Sequence, residues 1–208
     1  MYEVEIKVPA EVDAVRRRLR EAGAERVDAR RQRDVYYDAP HRDFAETDEA
    51  LRVRSEAPVE GGSSPDEPSA EPFEGRLSAE DAETTRITYK GPLMDDGSKT
   101  RVEHEAGVDD AGAVAGIFSG LGFVPAATVE KRREFWTYEG FTVALDVVDR
   151  VGEFVEIERE VDDEEAIERT RDEASAALSR LGLDASAQVR TSYLGLLLAG
   201  EGHSEHPE

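Results

Sequence analysis

Carboxylates and cations alternate with apolar residues along several short stretches of this chain. Together, those residue types could handle phosphates and hard metal ions. The chain opens Met1-Tyr-Glu-Val-Glu-Ile-Lys-Val8. Strand side chains point alternately to opposite faces, so Glu3, Glu5 and Lys7 share one face and Val4, Ile6 and Val8 the other. The same parity recurs at Leu51-Arg-Val-Arg54, Ile87-Thr-Tyr-Lys90, Arg101-Val-Glu-His-Glu105, Lys131-Arg-Arg133, Leu145-Asp146 and Glu156-Ile-Glu158. Guanidinium forks and ammonium groups hold phosphate oxygens through charge-assisted hydrogen bonds. Carboxylates are oxygen ligands suited to Mg²⁺ or Mn²⁺, ions that in turn bridge phosphates.

Taken singly, each of these segments would be a solvated strand face in so acidic a chain. Their co-occurrence, with the right parity on successive strands, carries the reading. The candidate cations are Lys7, Arg52, Arg54, Lys90, Arg101, Lys131 and Arg133. The candidate anions are Glu3, Glu5, Glu103, Glu105, Asp146, Glu156 and Glu158. The two sets cancel, and a triphosphate tail of about minus four with two divalent ions adds about zero, so a site built from them stays neutral when loaded. That balance matters because an unpaired like-charge contact at about 4 Å costs about 4 kcal/mol at an effective dielectric near 20.

Strands must hold these residues, and strands with one apolar face need something to cover it. The pattern predicts strands at the N-terminus and over residues 32–38, 50–55, 86–90, 100–106, 128–138, 141–148 and 154–161. Helices are predicted over 11–22, 110–121, from 162 or 163 to 181, and over 187–199. Eight strands joined mostly as hairpins predict an α+β fold: a closed eight-stranded antiparallel β-barrel with helices packed outside against the Val4, Ile6, Val102 and Ile157 faces. Residues 1–199 read as a single domain. It is interrupted at 57–83 by a Glu-, Ser-, Pro- and Gly-rich insertion too poor in apolar residues to order itself, and followed by a disordered tail at 200–208.

The net charge of -22 excludes a nucleic-acid partner, which would require a basic face. Only four of the 26 basic residues are lysines, and setting aside the candidate interior charges leaves 19 cations against 41 anions. A lysine-poor, acid-rich surface reads as adapted to high salt, where screening suppresses self-repulsion. There is no cysteine, hence no disulfide and no thiolate metal site. The N-terminus enters a strand directly, and the longest apolar run, around Leu194 to Ala199, is too short to span a bilayer. A soluble cytoplasmic protein with no membrane partner is expected, with the apolar C-terminal helix leaving room for a homodimer.

The segments resemble the CYTH superfamily, the triphosphate tunnel metalloenzymes. The resemblance rests on Glu3-Val-Glu-Ile-Lys7, Gln32-Arg-Asp-Val-Tyr-Tyr-Asp38, Leu51-Arg-Val-Arg54, Thr88-Tyr-Lys-Gly-Pro92, Arg101-Val-Glu103, Lys131-Arg-Arg133, Leu145-Asp-Val-Val148, Gly152-Glu-Phe-Val-Glu-Ile-Glu158 and Ser192-Tyr-Leu194. The last two look most like the class IV adenylate cyclase branch. The last helix offers Arg190 where a lysine would mark the thiamine triphosphatase branch.

The resemblance implies that Glu3, Glu5 and Glu156 or Glu158 hold Mg²⁺ or Mn²⁺, with Asp146 and Glu103 supporting. It implies that Lys7, Arg52, Arg54, Lys90, Arg101, Lys131 and Arg133 grip phosphates, with Lys7, Lys131 and Arg133 taken as catalytic. Tyr36 shares a face with Gln32 and Asp34, whereas Tyr37 points the other way. His104 is opposite in parity to Glu103 and is read as packing outside, whereas Trp136 and Phe135, the latter on the face of Arg133, are read as barrel packing rather than base-stacking. The implied reaction is cyclisation of ATP to cyclic AMP and pyrophosphate. One rival is triphosphatase action on tripolyphosphate, thiamine triphosphate or a nucleoside triphosphate. The other is a non-catalytic polyphosphate or nucleotide sensor.

Overall fold

The alternation in the opening residues becomes a pairing register. The computed structural model describes residues 2–59, 77–78, 81–92 and 102–201. Within them run β1 (Tyr2–Pro9), α1 (Val12–Glu21), β2 (Glu25–Asp38), α2 (Phe44–Thr47), β3 (Ala50–Pro58), β4 (Thr84–Lys90), β5 (Glu103–Val108), α3 (Ala111–Gly120), β6 (Val124–Tyr138), β7 (Phe141–Val148), β8 (Gly152–Val161), α4 (Ala166–Arg180), a 3₁₀ turn at Ala185–Ala187, and α5 (Tyr193–Glu201). The strands form one sheet in the order β1-β8-β7-β6-β2-β3-β4-β5, α+β as expected. That order ends at β1 and β5. Among the described residues hydrogen bonding does not close it into the expected barrel.

The chain divides into two compact units, and the long strands β2 and β6 run from one into the other. In the first unit (Met1–Arg30, Val59–Pro72 and Lys131–Glu208) β1, β8, β7 and the end of β6 pair antiparallel. Their apolar face carries Ile6, Val8, Val143, Leu145, Val155, Ile157 and Trp136, all buried. Two helices cover it. Val12, Val15 and Leu19 of α1 fall on one stripe at helical spacing, and α4 offers Ala174, Ala177 and Leu178. The small residues of α4 let its backbone approach closely, and burying each large apolar side chain contributes about 1.5–3 kcal/mol. Gly23, at φ +74, takes the left-handed turn that stops α1, and the Ala24 N–H reaches back to the Leu19 carbonyl. The β6–β7 hairpin turns on Glu139 and Gly140, both at positive φ, a turn whose twist matches that of the strands it joins.

The second unit (Arg31–Pro58 and Phe73–Glu130) pairs β3 with β4 and β4 with β5. Its apolar face gathers Tyr37, Phe44, Leu51, Val53 and Val114, with Ile87, Tyr89, Phe118 and Phe123 packed against them. Asp110 caps α3 by accepting the Ala113 N–H.

Several expected boundaries move. β2 begins at Glu25 rather than Gln32. Its first half carries Arg26, Asp28, Arg30 and Arg31 and only Val27 and Ala29 between them, too short an apolar alternation to announce a strand; Arg26 reaches Glu134 at 3.7 Å. β6 starts at Val124, and the single-turn α2 was not expected. The last helix starts at Tyr193 rather than 187, because Val189 gives its N–H to the Lys7 carbonyl instead of to a helix. Val102 is half exposed rather than covered. At the edges of the 57–83 insertion, Ala57 and Leu77 are buried and the Glu83 N–H bonds to the Glu56 carbonyl, so those edges belong to the fold. No helix among the described residues is long and apolar enough to cross a membrane.

Candidate functional site

In the first unit, the face opposite the core collects the charges. The register sets Glu5 against Glu158 and Lys7 against Glu156, Ala144 against Glu156, and Arg133 against Asp146. Direct partners in an antiparallel pair share a face, so β1, β8, β7 and β6 align Glu3, Glu5, Lys7, Glu156, Glu158, Asp146, Arg133 and Lys131. Exposure falls along it. Glu3 and Glu5 lie open to solvent and Glu158 is half-buried, whereas Lys7, Lys131 and Glu156 are buried and Asp146 is wholly so.

Carboxylate oxygens of Glu3, Glu5 and Glu158 lie within 4.8 Å of one another. Burial and the charges of Glu3, Glu156 and Glu5 push the Glu158 carboxyl up to about 7, against an opposing pull from Arg133. Three carboxylates this close together offer the hard oxygen donors that a divalent cation takes.

At the buried end Arg133 is the hub. Its Nε donates to Asp146 Oδ1 at 2.7 Å, its Nη2 donates to the second Asp146 oxygen and also to Glu156. Lys131 Nζ lies 3.7 Å from Asp146. Burial works against the Asp146 charge, but Arg133 and Lys131 outweigh it and hold the carboxyl well below its ordinary range. The Tyr193 hydroxyl also donates to Asp146, at 2.7 Å. Burial and the neighbouring Asp146 and Glu156 charges raise that phenol far above its usual value, so it stays protonated and remains a donor.

The second unit has its own charged face. Arg54 grips Asp34 with a fork, Nε to Oδ1 at 2.6 Å and Nη2 to Oδ2 at 2.7 Å, and Arg52 reaches Oδ2 at 3.4 Å. Tyr36 lies here beside Asp34 and Arg52, its hydroxyl raised mainly by burial, while Tyr37 joins the apolar core. Thr88, fully buried, donates to Glu105 at 3.1 Å, and Arg86 contacts the same carboxylate. Lys90 pairs with Glu103 at 2.9 Å, both partly exposed. His104 stacks on Tyr89, a side chain packed against the apolar cluster.

Of the six carboxylates expected to bind metal, three form the acidic cluster. Asp146 and Glu156 engage Arg133 instead, and Glu103 pairs with Lys90. Arg101 lies outside the described residues. Sequence reasoning passed over Tyr193, Asp34 and Thr88. Asp34 had a readable signal, its parity with Tyr36, but Tyr193 had only the Ser192-Tyr-Leu194 motif.

A model of the CYTH domain matches residues 1–193. A protein of Methanocaldococcus jannaschii named "Putative adenylate cyclase" is 32% identical over 197 residues, covering 94% of this chain and 98% of its own. The solved structure of a Pyrococcus horikoshii protein superposes with a TM-score of 0.75 at 34% identity, covering 95% of this chain and 99% of the other. A Hippeastrum protein, described as a "Putative adenylyl cyclase" that reveals a dominant triphosphatase activity, shares the fold. It has a TM-score of 0.61 at 16% identity and covers 95% of each chain.

Proposed function

Since this chain belongs to the CYTH domain family, we propose that it is a divalent-metal-dependent adenylate cyclase, converting ATP to cyclic AMP and pyrophosphate. The observation that carries the reading is the single strand face on which the Glu3–Glu5–Glu158 cluster adjoins Lys7, Lys131 and Arg133. Metal-type carboxylates beside phosphate-type cations are what a metal–triphosphate complex requires. The choice of cyclisation follows the name of the Methanocaldococcus relative.

Glu3, Glu5 and Glu158 are assigned to the metal. Held there, it would supply positive charge to phosphate oxygens and lower the proton affinity of the attacking hydroxyl. Lys7, Lys131 and Arg133 hold phosphate oxygens and stabilise charge as it develops on the leaving pyrophosphate. Asp146 and Glu156 aim the Arg133 guanidinium. Arg52, Arg54, Lys90 and Arg101 carry a phosphate-binding assignment from the family resemblance, and Glu103 a supporting one. In the reaction the ribose 3′-oxygen forms a bond to the α-phosphorus as the bond from that phosphorus to the bridging oxygen breaks. The hydroxyl proton passes to solvent, and pyrophosphate leaves with the electron pair of the broken bond.

Hydrolysis of a triphosphate is the second reading. It is favoured by the fact that the charged groups on this face are assigned to phosphate, to metal or to aiming Arg133, and none to a nucleoside, so a bare tripolyphosphate would satisfy them as well as ATP. A non-catalytic sensor is disfavoured, because cations alone would bind a polyanion and the acidic cluster would serve no purpose. Incubation with ATP and Mn²⁺ in molar KCl tests the choice. Cyclic AMP and pyrophosphate in equal amounts are expected. ADP with phosphate, or faster cleavage of tripolyphosphate than of ATP, would give the second reading the place of the first.

A further inference from the structure

The segment 188–193 delivers a phenol into the charged face, although phosphate chemistry by itself calls for no tyrosine. Val189 donates its N–H to the Lys7 carbonyl at 2.8 Å, and Lys7 Nζ donates to the Thr191 carbonyl at 2.7 Å. The segment therefore binds Lys7 at both its backbone and its side-chain end. Ser192 Oγ then accepts the Gly195 N–H at 3.1 Å, which starts α5 with Tyr193 in its first position. The Tyr193 ring lies 4.3 Å from Lys7 Nζ and 4.9 Å from Lys131 Nζ, measured to its centroid. It packs on Phe154 with centroids 5.2 Å apart. Its hydroxyl donates to the Asp146 carboxylate that receives the Arg133 fork. One buried side chain thus touches two lysines and the acid that aims the arginine.

We propose that Tyr193 is a positioning residue for phosphate binding: its ring sets Lys7 and Lys131, and its hydroxyl, through Asp146, sets Arg133. The negative face of the ring draws in two ammonium groups that would otherwise repel each other. Cations held in place before the ligand arrives need little rearrangement when a polyanion docks. The proposal rests on the triphosphate reading of this face. It adds the statement that affinity for the phosphate tail is set in part by an uncharged residue of the C-terminal segment.

Tyr193→Phe keeps the ring and loses the hydroxyl, and Tyr193→Leu loses both. Calorimetric titration with inorganic tripolyphosphate and Mg²⁺ in molar KCl should show about tenfold or more weaker binding for the leucine variant, and a loss within about threefold for the phenylalanine variant. KM for ATP should follow the same order, with kcat changing less, as expected when binding is lost equally from ground and transition states. The chain has four lysines, so side-chain carbon-13 NMR reads the geometry directly. Two lysine methylene signals should be ring-shifted upfield in the wild type and in Tyr193→Phe, and should move on adding tripolyphosphate.

Wild-type affinity in a folded Tyr193→Leu would overturn the proposal, as would equal losses in both variants. If the leucine variant does not fold, the NMR of the other two proteins still decides, since no ring-shifted lysine means no contact to act through. A wild type that binds neither tripolyphosphate nor ATP would remove the triphosphate reading and this proposal with it. Failure confined to the variants would remove only the proposal.

Discussion

Glu5 on β1 and Glu158 on β8 are direct register partners. Two carboxylates therefore face each other at a position where opposite charges would stabilise the pair and like charges cost energy. With Glu3 they form the acidic cluster, in which the mutual repulsion of the carboxylates works against the fold.

Glu5→Gln should therefore abolish turnover while slightly stabilising the metal-free protein. The amide keeps the volume and removes one of the repelling charges. Steady-state activity with Mn²⁺ and a thermal melt in chelator check the two halves. Undiminished activity would remove Glu5 from the metal assignment.

The Glu158 carboxyl, pushed up to about 7, gives stability a definite pH dependence. Between the ordinary carboxylate range and about pH 7 the folded state binds more protons than the unfolded state. Stability from this group is therefore present at the acid side, falls as pH rises through that window and levels off above it, with a slope of at most ~1.4 kcal/mol per pH unit. Melting temperatures of wild type and Glu158→Gln, measured in chelator from pH 5 to 8, should diverge with rising pH in favour of the variant. Saturating Mg²⁺ should bring the two together.

Asp34 is almost fully buried and carries the Arg54 fork as well as a contact from Arg52. Asp34→Ala should cost about 3–5 kcal/mol, because it leaves arginine charge buried without its counter-ion. Urea unfolding at constant KCl is the suitable measurement. A loss under about 1 kcal/mol would mean that solvent already compensates the pair.

Removing residues 62–75 and rejoining the ends should leave stability and activity close to wild type, since shortening a loop changes closure entropy only slightly. A longer deletion that also removes Ala57 and Leu77 should not be tolerated, because both are buried. Melts and activity of the two deletions decide where the fold begins again.

Unfolding midpoints should rise steeply with KCl. The 41 acids outside the charged stretches face 19 bases, and at 0.01 M salt the Debye length of about 30 Å lets them repel across the molecule. An equal midpoint in dilute and molar KCl would contradict adaptation to high salt.

How much of this could be read from the chain depended on the range of each signal. The charged faces were legible because period-two alternation is local: Glu3, Glu5 and Lys7 declare their side of β1 within five residues, and the apolar partners Val4 and Ile6 confirm it. The roles within the face were not. Asp146 and Glu156 look like metal ligands from their type, and only three-dimensional placement shows Arg133 between them. Tyr193 sits in a leucine-rich stretch that reads as core, and its partner Asp146 lies 47 positions away. The charged first half of β2 was missed because Val27 and Ala29 are too few to declare an apolar face and Val27 lies exposed, and the extended segment before α5 because its bonds go to β1 rather than to its neighbours.

The bond from Lys7 to Thr191 spans 184 positions, and its consequence lies in the order of synthesis. Within these residues β1 is translated before its partner β8 and before the segment that fastens Lys7. Until β8 has been made, β1 lacks the strand with which it pairs. Contacts of such long range form late and slowly, so Lys7, the lysine proposed to hold phosphate, should be set only late in folding. A prematurely terminated product would lack the segment that sets it.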